Sequence, residues 1–304
     1  MSEQKTNWLG LYLLVGVVWG FSFYFIALGD KFLTPVGVGF WRLALGGVAM
    51  LAITLFRRLA FPRELRTYLL LFVVSICMNS VPAALFAYAE QHVTSAFAGI
   101  MNSATPIATI LMILLFFRAE KPSAKVLIGL AIGLVGALTV LAVWNGFGEN
   151  DPTAIAALGG AVLLYGIGGP FARRYVTGLG LDTQAQVTLQ VLLAALTLLP
   201  FYAAGPLFTT APDVLGVSGM LVLGVLGTGF AYIWYYRLMA LAGSAVANAV
   251  TFLSPAVAVL AGALLLGEAI TWNEIVGGAV VIIGAAVGQG RFDGLLKRIT
   301  SRTS

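Results

Sequence analysis

Long apolar stretches alternate with short polar breaks along this chain, at 8–28, 35–56, 67–88, 95–117, 124–144, 153–174, 183–203, 214–238, 244–267 and 272–290. Each is close to the roughly 20 residues a helix needs to cross a hydrocarbon core of about 30 Å. Helical period is no test here, because a span buried in lipid and protein is apolar on nearly all sides. Length and the flanking polar breaks define the spans instead. The pattern predicts an all-α integral membrane protein of ten transmembrane helices. The first stretch is too long for a secretory leader and has no A-x-A pattern after it, so it is expected to stay as the first span.

The polar positions inside the spans recur. Ser95, Gly99, Asn102 and Pro106 in the fourth span are answered by Ser244, Asn248, Thr251 and Pro255 in the ninth, and both sets follow i, i+4, i+7, i+11, one face of a helix. Glu120, Gly129 and Gly136 meet Glu268, Gly277 and Gly284 at a constant offset of 148. Trp19-Gly20 in the first span corresponds to Tyr165-Gly166 in the sixth, and Arg42 in the second to Gln190 in the seventh. Taken in order, the pairs read as a duplication. Each copy holds five spans, an odd number, so the second enters the bilayer from the opposite side. The prediction is therefore two inverted five-helix repeats, 1–148 and 149–304, around a central cavity, the second ending in a basic tail.

Composition supports the membrane reading: 60% of residues are hydrophobic and 10% charged, against about a quarter charged in soluble domains. The formal net charge of +5 would suit a nucleic-acid binder, but the bases follow topology instead. With both termini cytoplasmic, fifteen of the seventeen, including Lys5, Arg57, Arg58, Arg118, Arg173 and Arg298, fall on the inner side, which leaves Lys31 outside and Arg42 within a span. No nucleic-acid partner is expected; membrane lipid is. The lone Cys77 has no partner for a disulfide and reads as a packed thiol in an apolar span.

Hydrolytic machinery is absent from the sequence. There is one histidine, His92, no H-E-x-x-H, no cysteine cluster and no G-x-x-x-x-G-K-[ST], so neither a catalytic residue, a metal site nor a cofactor is expected. Asn102, Asn248 and Thr251 would be costly against hydrocarbon and should face protein or a water-filled path. Pro106 and Pro255 each remove a helical hydrogen bond and free a carbonyl. They serve either as matched gates or as kinks for packing. Trp19 and Tyr165 lie near mid-span, and Thr228, Tyr232 and Tyr235 follow i, i+4, i+7, an arrangement suited to a cavity wall with hydrogen-bonding handles or to ordinary core packing. Tyr236 reads as an interfacial belt residue. Arg42 lies seven residues past Pro35, about 10 Å along the helix. It would pair with a substrate carboxylate or with Glu90, or reach to the outer headgroups. Asn79, Gln186 and Gln190 would add polar groups to a cavity or tie helices together. No acidic residue falls near a midplane, which disfavours tight proton coupling through a central carboxylate. Gly129, Gly133 and Gly136, with Gly277, Gly284 and Gly288, mark the fifth and tenth spans as scaffold or homodimer contacts.

Trp19-Gly20 with Arg42, the N-S-A-T-P run from Asn102 to Pro106, its mate T-F-L-S-P from Thr251 to Pro255, and Gly267-Glu268 before a glycine-rich last span together carry a resemblance. Over essentially its whole length the chain resembles the EamA family of the drug/metabolite transporter superfamily. The resemblance implies a multi-pass exporter of the bacterial inner membrane, with a cavity lined mainly by spans one, three, four, six, eight and nine. Aromatic amino-acid exporters are the nearest functional kin it suggests. The expected activity is alternating-access export of amino acids, aromatic or otherwise neutral, or of similar small metabolites. The substrate-binding candidates are Trp19, Arg42, Asn79, Asn102, Tyr165, Tyr232, Asn248 and Thr251, with Pro106 and Pro255 as gates. Competing readings are a transporter of nucleobases or drugs, a membrane enzyme acting on lipid carriers, and a channel or purely structural membrane protein.

Overall fold

The computed structural model describes residues 8–117, 124–140, 144, 151–267 and 271–288. Lys5, Arg118, Lys121, Arg291, Lys297, Arg298 and Arg302, which carry part of the charge asymmetry, lie outside these residues, as do Glu120 and Glu268.

Helices begin where the sequence supplies a cap. Thr34 and Thr94 accept hydrogen bonds from the backbone N–H of Gly37 and Phe97, each at 3.1 Å, and start α2 (Pro35–Phe56) and α5 (Ser95–Asn102). Asp151, Asp182 and Asp213 do the same for α8 (Pro152–Tyr175), α9 (Thr183–Ala203) and α10 (Val214–Gly224). Each cap contributes about 1 kcal/mol and satisfies a donor that would otherwise be orphaned. Proline at 35 and 152 occupies the first helical position, where its missing N–H costs nothing.

The other elements are α1 (Leu9–Gly29), α3 (Leu65–Ser75), α4 (Val81–Glu90), α6 (Thr105–Phe116), α7 (Ala124–Val140), α11 (Ala231–Ala242), α12 (Ser244–Asn248), α13 (Ser254–Ala261) and α14 (Trp272–Gly288). Several join end to end. A π-turn at Ile76–Ser80 links α3 to α4, and another at Val225–Phe230 links α10 to α11. In each turn a hydroxyl reaches back five residues: Ser80 Oγ donates to the Ser75 carbonyl at 3.3 Å, and Thr228 Oγ1 to that of Leu223 at 3.1 Å. The bend between α5 and α6 falls at Ser103 and Ala104; that between α12 and α13 is a 3₁₀ turn, Ala249–Phe252.

Among the described residues, seven segments are long and apolar enough to cross a bilayer: Gly10–Gly29, Pro35–Phe56, Leu65–Glu90, Phe97–Phe116, Pro152–Tyr175, Thr183–Ala203 and Val214–Ala242. The described parts of α7 and α14 have 17 residues each, about 26 Å at 1.5 Å per residue, and both run up to residues outside the described ones. The stretch from Ser244 to Leu266 is divided among α12, the 3₁₀ turn, α13 and a π-turn at Gly262–Leu266. Large apolar side chains on many helices, among them Val48, Leu111, Leu196 and Leu264, are exposed, a surface suited to lipid. The protein is a multi-pass membrane protein, all-helical among the described residues.

The closest helix pairings join the first half of the chain to the second. α7 lies against α14 and α2 against α9; α4 and α6 pack on α8, while α10 and α13 pack on α1. Taken span by span, with α3 and α4 as one and α10 and α11 as one, exchanging the halves leaves this pattern unchanged. The close approaches are made at glycines. A Cβ on Gly20 would meet Val257 Cβ at 2.4 Å, and one on Gly166 would meet Ala108 Cβ at 2.8 Å. Likewise a Cβ on Gly284 would lie 2.5 Å from the Gly129 carbonyl oxygen, so α7 and α14 touch backbone to backbone.

Candidate functional site

Broken helices position the polar groups. Pro82 has no N–H to give to the carbonyl of Met78 four residues back, and the Tyr232 hydroxyl donates to that carbonyl from the other half of the chain. Reciprocally, Trp19 Nε1 donates to the Gly227 carbonyl in the second π-turn at 3.2 Å. Each of these two π-turns is thus capped by an aromatic side chain of the opposite half, and π-turns of this kind often accompany functional sites. Pro106 and Pro255 likewise withhold an N–H from the carbonyls of Asn102 and Thr251.

Between these breaks lies a cavity of about 580 Å³, its open side included. From the first half, Trp19, Ser22, Phe23 and Ile26 of α1 face it, with Arg42 of α2, Met78 and Phe86 beside the first π-turn, and Asn102 and Thr105 at the α5–α6 bend. Tyr165, Tyr232, Asn248 and Thr251 complete it from the second half. The walls are largely aromatic: Phe86 stacks on Tyr165 with centroids 6.0 Å apart, and Trp19 meets Tyr232 edge-on at 5.7 Å. Thr105 Oγ1 donates to Asn102 Oδ1 at 3.2 Å, leaving the Asn102 amide nitrogen as a donor. Arg42 Nε donates to Thr228 Oγ1 at 3.3 Å.

The cavity occupies the part of the bundle toward the C-terminal end of α1. Toward the N-terminal end, Tyr12 and Val15 are buried among Met50, Val74, Met239 and Val250, and polar bridges cross the same layer. Tyr235 donates to Asn248 Oδ1, whose Nδ2 donates to Thr109 Oγ1 at 2.7 Å. Tyr12 donates to the Ala249 carbonyl, and Arg173 to that of Met239. The bundle is hollow toward the C-terminal end of α1 and packed toward its N-terminal end.

Comparison with known proteins interprets this geometry. One family model, described as the EamA-like transporter family, matches the chain twice, at residues 6–142 and 152–287. The chain belongs to the EamA-like transporter family. This EamA-like transporter is 25% identical to the uncharacterized inner membrane transporter YedA of Escherichia coli K12 over 287 residues, 94% of this chain and 91% of that protein. It is 26% identical to protein PagO of Salmonella typhimurium, over 90% of each chain. The probable terminal-alkyne amino-acid exporter of Streptantibioticus cattleyicolor is 27% identical over 93% of each chain. A crystal structure with 17% identity superposes with a TM-score of 0.72, covering 95% of this chain and 99% of the other, a likeness of fold.

Seven of the residues singled out from the EamA-like sequence border this one cavity: Trp19, Arg42, Asn102, Tyr165, Tyr232, Asn248 and Thr251. Asn79 does not line it. Its Oδ1 accepts from Gln190 Nε2 at 2.6 Å, and Gln190 Oε1 accepts from the Tyr236 hydroxyl at 2.6 Å, so these groups tie α9 to the first π-turn and to α11. Tyr236, read from sequence as an interfacial residue, is 4% exposed, because it completes this buried chain of hydrogen bonds. Arg42 does not pair with Glu90, whose Oε2 accepts from Ser95 at 3.1 Å. Pro106 and Pro255 stand at the starts of α6 and α13, just past the two bends. Sequence reasoning passed over Ser22, Phe23, Ile26, Met78, Phe86 and Thr105 as cavity residues. Ser22 and Ile26 lie three and seven residues past Trp19, and Thr105 three past Asn102, spacings that share a helix face. Phe23, Met78 and Phe86 carry no such sign among so many apolar neighbours.

Proposed function

We propose that the protein exports amino acids, aromatic or otherwise neutral, or similar small metabolites across a bacterial inner membrane. It does so by alternating access between two inverted five-helix units, 1–148 and 149–304, with both termini cytoplasmic. The observation that carries this is the cavity itself: polar and aromatic groups from both halves meet in one hollow, with the bundle packed toward the N-terminal end of α1, an arrangement suited to one state of such a carrier.

Four observations support the repeat. One family model fits twice. The pairings of whole spans survive exchange of the halves. The hydroxyl bonds of Ser80 and Thr228 recur 148 residues apart. Gly20 meets Val257 as Gly166 meets Ala108. On this reading Trp19, Arg42, Asn102, Tyr165, Tyr232, Asn248 and Thr251 contact substrate, while Asn79 supports them from behind. The guanidinium of Arg42, the Asn102 amide and the proline-freed carbonyls of Asn102 and Thr251 suit a small zwitterion; the aromatic walls suit an apolar side chain. The exporter from Streptantibioticus cattleyicolor favours amino acids among the candidate solutes. Pro106 and Pro255, at matching bends, are the hinges about which α6 and α13 tilt.

Proteoliposomes loaded with unlabelled amino acid and diluted into labelled amino acid test this. A carrier gives saturable, transient accumulation. Linear, non-saturating flux, or none for any amino acid or nucleobase tried, contradicts the reading.

A further inference from the structure

We propose that Arg42 is the specificity-determining residue of the cavity and seats a carboxylate, so the carrier selects solutes bearing a carboxylate over their amides and amines. The inference rests on the reading of this cavity as the substrate site and names the chemical group that the site recognises.

Arg42 lies well inside α2, about 10 Å along the helix from Pro35. A fixed positive charge at that depth is costly and calls for a compensating anion. Within the described residues the protein supplies none. Arg42 makes no ion pair, and no Asp or Glu lines the cavity. Its one hydrogen bond runs from Nε to Thr228 Oγ1. Among the described residues both terminal nitrogens have no protein partner, and they form the edge of the fork that fits a carboxylate through two parallel hydrogen bonds.

Thr228 shows that the fork is held rather than neutralised. Its hydroxyl donates to the Leu223 carbonyl and accepts from Arg42 Nε, so it is committed in both directions. The π-turn Val225–Phe230 fixes Thr228 and thereby aims Arg42. Thr228 is a positioning residue. Gln190, the position matching Arg42 in the second half, is neutral and already bonded to Asn79 and Tyr236. The cavity therefore carries one cationic pole, and the orientation of a bound acid is set by it. The aromatic faces of Trp19, Phe86 and Tyr165 remain for the rest of the solute.

The test uses the full-length protein and four probes of one shape: phenylalanine, 3-phenylpropionate, phenylalaninamide and phenethylamine. Competition for counterflow is measured alongside ligand-induced thermal stabilisation in detergent, which reports binding without transport. The two carboxylates are expected to compete and stabilise at concentrations at least tenfold lower than the amide and amine. Arg42→Gln should abolish that preference and Arg42→Lys restore part of it. Should Arg42→Gln fail to fold, Thr228→Val serves instead, with the expectation of a several-fold rise in KM for carboxylates at nearly unchanged kcat. Amide and acid acting equally on the wild type, an Arg42→Gln protein that keeps the preference, or no stabilisation by either carboxylate overturns the inference. Stabilisation by carboxylates that depends on Arg42, without counterflow of any solute, upholds the carboxylate seat and refutes the transport reading alone.

Discussion

Replacing Tyr232 by phenylalanine probes how the broken third span is held. The Tyr232 hydroxyl donates to the Met78 carbonyl, the group that Pro82 leaves without its usual helical donor. A buried carbonyl stripped of a donor costs about 1–3 kcal/mol. Hydrogen bonds between membrane helices average about 0.6 and reach about 1.7 kcal/mol. Tyr232→Phe is therefore expected to destabilise by about 1–2 kcal/mol. Pro82→Ala restores an N–H at the position that an unbroken helix would use, so in that background the same change should cost less than half as much. The four proteins of this double-mutant cycle are unfolded in mixed micelles of increasing denaturing detergent, with tryptophan fluorescence as readout. Equal costs in both backgrounds would refute the account of Tyr232 as the surrogate donor for Pro82.

Three other outcomes are expected. Asp30, just past α1, has both carboxylate oxygens buried, and burial pushes its carboxyl up to about 8 against the weaker opposing pull of the Gln91 side chain. Between the unfolded value of 3.8 and about 8 the folded chain holds a proton that the unfolded chain releases, so stability is greatest at the acid end and falls as pH rises. The slope is at most about 1.4 kcal/mol per pH unit, and Asp30→Asn should flatten it in denaturation curves across that window. Gly166→Val drives a side chain into Ala108 and should cost about 1–3 kcal/mol or more in the same unfolding assay, whereas Gly159→Val, with open space beside it, should be nearly silent. Pro106→Ala and Pro255→Ala should each slow efflux from loaded proteoliposomes, and unchanged rates for both would remove the hinge role.

Much of the fold was legible because lipid imposes so simple a rule: a span must be long, apolar and helical. That rule also explains the site. In an otherwise apolar span, Trp19, Arg42, Asn102 or Thr251 is conspicuous, and the structure gathers these residues at one cavity. It does not say which way a polar group turns. Asn79 and Asn102 look alike in sequence, yet one is consumed by Gln190 and the other borders the hollow. Tyr236 stood where interfacial aromatics collect and is instead buried, because Gln190, distant in sequence, supplies its acceptor. The π-turns were not foreseen. Ser80 and Thr228, which reach back to a carbonyl just before each turn, are inconspicuous hydroxyls, and only the reciprocal caps from Tyr232 and Trp19 reveal what the turns hold in place.

The central claim, that one cavity opens in turn to two compartments, is tested most directly by single-cysteine labelling. In a Cys77→Ser background, Ser22→Cys places a thiol in the cavity, and a membrane-impermeant maleimide is applied to right-side-out and to inverted vesicles. The account predicts labelling from both sides, with transported solute shifting the balance between them. Labelling from one side only, unchanged by any solute that the protein carries, would contradict it.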